Sequence, residues 1–202
     1  MGAVLSRVYP APPVSTREVL RYAGAVGSDD AKVIALAESY VKLAESQLTY
    51  RVCWREFPIK WGEDEIDLDF TVTASKSLRK CLEGCGAAVL FAATVGIGID
   101  RLIARYRAVS PARSLMLQGV GAERVEALCD AFCADIAEME RERGRFTRPR
   151  FSPGYGDLPL AMQRDVFRAL DCPKHIGVTL NDSLLMSPSK SVTAIIGVGQ
   201  GK

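Results

Sequence analysis

The sequence predicts an α+β fold on three observations. The chain is long and apolar enough for one sizeable core. Some stretches repeat apolar residues at helical spacing, and others are rich in β-branched and aromatic residues with strand-like alternation. Of the 202 residues, 48% are hydrophobic and 25% charged, which argues against disorder and favours a single domain over residues 1–202. Residues 1–14 read as an irregular N-terminal arm. Ser15 and Glu18 have capping-box spacing ahead of Val19, Leu20 and Tyr22, so a short helix starts there and Gly24 or Gly27 ends it. From Ala31 to about Leu48, Val33, Ile34, Ala37, Tyr40, Val41 and Ala44 share one helical face. Residues 49–61 read as a strand and 62–64 as a turn. Ile66, Leu68, Phe70 and Val72 then alternate with polar residues as a half-buried strand does, so the two runs predict a hairpin.

Ser75 is positioned to cap a helix reaching about residue 83, after which Gly84 and Gly86 lead into a buried strand over 87–94. A short helix is expected over 100–107. Ser110-Pro111 opens a segment that passes Gly119 and Gly121 and becomes a long helix, with Val125, Leu128, Cys129, Phe132, Cys133 and Ile136 on one face and Gly144 as its stop. Loop chemistry fills 149–159. A final helix is expected over 160–170, then strands at 176–180 and 191–198 separated by a turn at Met186-Ser187-Pro188.

Lys and Arg number 26 against 24 Asp and Glu, so a general attraction to nucleic-acid phosphate has little charge behind it. The basic residues concentrate from Arg141 to Arg150, as a solvated helix end or a local anion site. The most apolar stretch, 87–99, is too short to span a bilayer and is broken by Gly96 and Gly98. The start lacks the continuous apolar run of a signal peptide, although Met1-Gly2 with Ser6 fits a loose acylation pattern. These features predict a cytoplasmic protein without a membrane part, its six cysteines reduced. The pairs Cys81/Cys85 and Cys129/Cys133 have i,i+4 spacing, which suits either metal-facing thiolates or packing; the second pair lies within an apolar stripe, where a thiol acts as a small hydrophobe. A thiol or metal-binding protein using Cys53, Cys81 and Cys85 stays open as an alternative. His175 is the sole histidine, which excludes a multi-histidine metal site. The glycine clusters at 96/98, 119/121 and 197–201 lack the remaining features of nucleotide loops and read as turns.

The distinctive run is Arg150-Phe151-Ser152-Pro153-Gly154-Tyr155. An arginine fork grips a carboxylate, a Pro-Gly turn lets backbone approach a ligand closely, and a tyrosine adds a ring with a polar tip. That combination suits an amino-acid zwitterion joined to a flat ring.

The run matches the Arg-x-x-x-Gly-Tyr signature of the activation domain of cobalamin-dependent methionine synthase, and the chain resembles that family. An amphipathic helix, then Ile176 to Ser183, Met186-Ser187-Pro188 and Ser191-Val192-Thr193 follow in the family's order and spacing. The resemblance is specific over about residues 125–198. It implies a mixed or antiparallel sheet flanked by helices, in the free-standing form of the domain. It also implies binding of S-adenosylmethionine, with Arg150 as carboxylate anchor, Ser152 as a backbone contact, Gly154 as the close-approach turn and Tyr155 as the ring near the ligand. Asp130, on the long helix, is the match for an acidic residue that favours the ligand's ammonium or sulfonium charge. The resemblance requires no catalytic acid or base and no resident metal. Cobalamin would be held by a partner, because the corrinoid-binding pattern Asp-x-His-x-x-Gly is missing around His175. The implied partner is a corrinoid-binding methionine synthase or a related corrinoid protein, and the implied electron donor is flavodoxin-like or ferredoxin-like. The implied role is reductive methylation that reactivates the corrinoid. The N-terminal half lacks a counterpart for one ligand-contacting aspartate of the family. The other reading is therefore a docking module for a corrinoid methyltransferase that does not use S-adenosylmethionine.

Overall fold

The computed structural model describes residues 2–201; Met1, where the acylation pattern begins, and Lys202 lie outside the described residues. The elements of the N-terminal half are β1 (Leu5–Tyr9), α1 (Thr16–Tyr22), α2 (Ala31–Glu45), β2 (Tyr50–Pro58), β3 (Lys60–Trp61), β4 (Ile66–Asp67), β5 (Val72–Thr73), α3 (Lys76–Cys81) and β6 (Cys85–Thr94). There follow α4 (Gly98–Arg107), α5 (Pro111–Glu142), β7 (Arg145–Thr147), a 3-10 turn (Leu160–Met162), α6 (Gln163–Leu170), α7 (Cys172–Ile176), β8 (Thr179–Leu180), β9 (Met186–Ser187) and β10 (Ser191–Gln200).

The main sheet is antiparallel in the order β1-β2-β6-β10-β7. Strands β6 and β10 lie inside it with both faces covered, which is why they read as near-continuous apolar runs. On β6, Val89, Phe91 and Ala93 join a core under α1, α2, α4 and α5, while Ala88, Leu90 and Ala92 join a second core under α3, α6 and α7. The α+β class and the antiparallel sheet flanked by helices are as expected.

Helix α5 is the spine of the first core. Pro111 occupies its first turn, and Gly144, at φ 71°, ends it just beyond Arg143. Its Phe132 ring meets those of Phe91, Trp54 and Tyr9 at 4.7, 5.3 and 6.5 Å between centroids. At Gly119 a Cβ would sit 2.7 Å from the Val19 carbonyl oxygen and 2.9 Å from the Ala23 backbone nitrogen, so α1 lies directly on the α5 backbone. Gly119→Ala is therefore expected to destabilise by about 1–2 kcal/mol, read as a lower melting temperature, because overpacking against backbone outweighs the gain in helix propensity.

Four expectations need correction. Part of the expected N-terminal arm is edge strand β1, paired with β2 from Leu5↔Trp54 to Tyr9↔Tyr50, and Arg7 and Tyr9 each bond Asp135 at 2.9 Å. The expected hairpin is reduced to two residue pairs, Lys60↔Asp67 and Trp61↔Ile66, while the long strand β2 pairs with β1 and β6. Asp69 at φ 67° breaks the second run, and Leu68 is buried in the second core. Helix α6 is not the final helix: Asp171 turns left-handed and Cys172–Ile176 form a further helix, α7, which takes Ile176 from the strand expected over 176–180 and leaves only Thr179–Leu180 of it extended. The segment at 186–187 is strand β9, paired with β8.

Candidate functional site

The site is built where the chain leaves β7 and runs back along the outer edge of β10. The Arg148 N–H donates to the Gly197 carbonyl at 2.8 Å, and Phe151 exchanges two hydrogen bonds of 2.9 Å with Ile195. Continued, that register would set Pro153 opposite Thr193, but proline has no N–H to give. Gly154, at φ 93°, then turns the chain, with its N–H donating to the Leu158 carbonyl at 2.9 Å. Backbone direction alternates along a strand, so Thr193 aims its N–H and C=O to the same outer side as Ile195, where no strand lies opposite among the described residues. The resulting gap is a cleft of about 370 Å³.

Asp157 ties the turn to α3. Its carboxylate accepts from the Ser75 hydroxyl at 2.5 Å and from the backbone N–H groups of Ser77 and Lys76 at 3.1 and 2.8 Å. The Ser75 hydroxyl and those N–H groups hold the Asp157 carboxyl well below the usual carboxylate range. A lowered folded-state pKa stabilises above the unfolded value, about 4, and that contribution is lost as pH falls below it. Asp157→Asn should therefore melt below the wild type at pH 7, with the difference shrinking progressively as pH falls below about 4.

Arg150 forms one wall of the cleft. Its Nη1 donates to Asp130 Oδ1 at 2.5 Å and its Nη2 to Glu126 Oε2 at 2.6 Å, and the side chain is only 23% exposed. Burial opposes its charge, but the hydrogen bond to Asp130 outweighs it together with the nearby Cys129 and Cys133, and its pKa lies above the usual arginine value. Ser152 and Tyr155 also line the cleft, the Tyr155 ring 68% exposed at its mouth. Gly154 shapes the turn without lining the cleft. Asp130, 72% exposed, faces a neighbouring groove beside Pro12, Ser15 and Glu18 and braces Arg150 from behind.

Sequence reasoning missed Glu126, one helical turn before Asp130 on the same face, and that spacing was the available signal. It also missed Gln163, Ser191 and Thr193, which line the cleft from α6 and β10. Arg150 is held by α5 on one face of the sheet and Gln163 opens α6 on the other, so the cleft wraps the sheet edge.

The cysteines meet at most in pairs: Cys53 and Cys172 lie close enough to share a hydrogen bond. Cys81 Sγ donates to the Pro149 carbonyl at 3.4 Å, and Cys53, Cys85, Cys129 and Cys172 are buried. Burial pushes the Cys81 and Cys85 thiols up, away from the thiolate form that metal needs. Among the described residues, no three His, Cys, Asp or Glu side chains are placed to share a metal ion. No helix of the described residues is long and apolar enough to cross a membrane.

Residues 69–200, about two thirds of the chain, match the family model described as vitamin B12 dependent methionine synthase, activation domain. The chain belongs to that family. Its fold is similar to a crystal structure of the MetH reactivation domain bound to AdoHcy, at a TM-score of 0.69 and 16% identity, over 96% of this chain and 78% of that one. No curated protein matches the chain. The span matched by the activation-domain family holds every residue named above as lining the cleft, whereas β1, α1, α2, β2, β3 and β4 precede it.

Proposed function

We propose that the cleft binds S-adenosylmethionine and presents its methyl group to the corrinoid of a cobalamin-dependent methionine synthase on another polypeptide. The observation that carries this reading is Arg150, braced by Glu126 and Asp130 in the wall of a cleft that Ser152 and Tyr155 also line. Arg150 with Glu126 in the wall and Asp130 behind it carries a net charge of minus one. S-adenosylmethionine has a carboxylate, an ammonium and a sulfonium, and so a net charge of plus one. The N–H donors that Arg150 does not spend on the two acids suit the carboxylate, and the acids favour the cations. The cleft volume of about 370 Å³ suits a ligand of this size. The AdoHcy held by the structural relative is S-adenosylmethionine without its methyl group, which supports the reading.

When bound, S-adenosylmethionine supplies an electrophilic methyl group for a corrinoid reduced by a flavodoxin-like or ferredoxin-like donor. This chain binds and orients. Arg150 anchors the amino-acid end, Ser152 offers backbone polar groups, Gly154 sets the turn, and Tyr155 presents an open ring at the mouth where a flat partner approaches. No acid or base of this chain is needed. We take residues 1–202 to act as one cytoplasmic domain, its cysteines reduced. The engagement of Arg150 by two acids favours a second reading, a docking module that does not use S-adenosylmethionine.

The experiment is transfer of isotopically labelled methyl from S-adenosylmethionine to a cobalamin-dependent methionine synthase lacking its own activation domain, under a low-potential reductant. Label on the corrinoid only when this chain is present is the expected result. Docking of the two proteins without transfer would establish the second reading instead.

A further inference from the structure

Helix α3 carries three cations on two turns, an arrangement that does little for the helix itself. Lys76, Arg79 and Lys80 stand at i, i+3 and i+4, where like charges repel, and Lys76 opens the helix at the end where a cation opposes the dipole. The ion pairs among the described residues include neither Lys76 nor Lys80. Arg79 is fixed: its Nη1 and Nη2 donate to the Glu65 and Gly62 carbonyls at 3.3 and 2.8 Å, and its guanidinium lies 5.4 Å from the centre of the Trp61 ring. Trp61 is fixed as well, its Nε1–H donating to the Cys85 carbonyl at 2.9 Å, although the residue is 41% exposed. Together with Glu83 and Gly84 these residues line a hollow of about 480 Å³ that shares no residue with the Arg150 cleft. Tryptophan and arginine are the residue types that most often carry binding energy at protein interfaces, and here both are held in place before any partner arrives.

The hollow adjoins the mouth of the cleft. The turn that presents Tyr155 is fastened to α3 through Asp157, which accepts the Lys76 and Ser77 N–H groups, and at Gly156 a Cβ would stand 2.6 Å from Ser77 Oγ. Six helical residues span about 9 Å. A protein that covers the mouth with a patch of standard size, about 800 Å² or roughly 16 Å in radius, therefore reaches along α3. We propose that Lys76, Lys80 and the Trp61–Arg79 pair form a docking surface for an acidic flank of the corrinoid-carrying protein. This rests on the reading of the chain as a presenter of methyl groups to a corrinoid, and it adds where, outside the cleft, the carrier is gripped. The two free lysines steer the encounter and set its register, and the indole supplies the apolar contact.

The test is equilibrium binding of the full chain to a cobalamin-dependent methionine synthase lacking its own activation domain, with no electron-donor protein present. The chains compared are the wild type, a Lys76→Gln/Lys80→Gln double variant and a Lys76→Arg/Lys80→Arg double variant. At low salt the glutamine variant is expected to bind about tenfold more weakly than the wild type, and the difference should vanish near 1 M salt, where charges are screened within about 3 Å. Its melting temperature and its affinity for S-adenosylmethionine should stay those of the wild type, and the arginine variant should dock normally. Equal docking of wild type and glutamine variant at low salt would overturn the α3 assignment and leave the methyl-presenting role standing. A glutamine variant that loses S-adenosylmethionine binding would overturn it too, because the lysines would then act on the cleft. Normal docking, with methyl transfer reduced only when a flavodoxin-like protein replaces a chemical reductant, would give this face to the electron donor instead. A wild type that does not dock at all would sink the inference and the corrinoid partner together.

Discussion

Arg150→Ala should weaken S-adenosylmethionine binding about a hundredfold while leaving the fold intact. A charge-assisted hydrogen bond between guanidinium and carboxylate contributes about 1.5–3 kcal/mol, and about 2.7 kcal/mol corresponds to that factor. The variant also turns the remaining wall from minus one to minus two, which repels the ligand carboxylate further. Stability should change by about 1 kcal/mol or less, because Glu126 and Asp130 keep 39% and 72% of their side-chain surface in water and are not left as buried charges. Arg150→Lys should recover only part of the affinity, since an ammonium cannot span two acids and a ligand carboxylate in one plane. Titration calorimetry on the three proteins, with thermal melts alongside, checks both statements. Equal affinities would remove Arg150 from the site.

The largest loss of stability is expected at Arg124, which has no connection to the cleft. Its side chain is fully buried, with Nε and Nη2 donating to Glu123 at 2.6 and 2.8 Å and its two terminal nitrogens donating to the Pro12 and Pro13 carbonyls at 2.7 Å each. Glu123 in turn accepts the Ser15 N–H at 2.9 Å, so the pair pins the chain just before α1. Arg124→Ala leaves a carboxylate that is 4% exposed without its counter-charge, and a broken buried pair costs about 3–5 kcal/mol. Denaturant unfolding should show that loss, and Arg124→Leu combined with Glu123→Leu should recover much of it. A loss below about 1 kcal/mol would mean that the pair contributes little to holding the N-terminal segment.

What could be read from the sequence followed from local chemistry. The Ser15 and Ser75 caps, the Gly144 stop and the apolar stripe of α5 each depend on residues within a few positions, and each lies where expected. Strand partners were not legible: β2 is rich in strand formers but carries no mark that its neighbours are β1 and β6 rather than the run after Gly62. The same limit applied to the site. The Arg150–Tyr155 run is contiguous and stood out through its resemblance to the family signature, whereas Glu126, Gln163 and Thr193 reach it from three separate elements. Asp130 was expected on the long helix as an acid favouring the ligand's cations; its side chain instead braces the Arg150 guanidinium from outside the cleft. Folding alone brings such residues together.

The central claim is that this cleft takes S-adenosylmethionine, and direct calorimetric titration of the wild-type protein tests it with no partner present. One saturable site of micromolar affinity, displaced by AdoHcy, is the predicted result. A folded protein that gives no saturable binding up to millimolar ligand would contradict it.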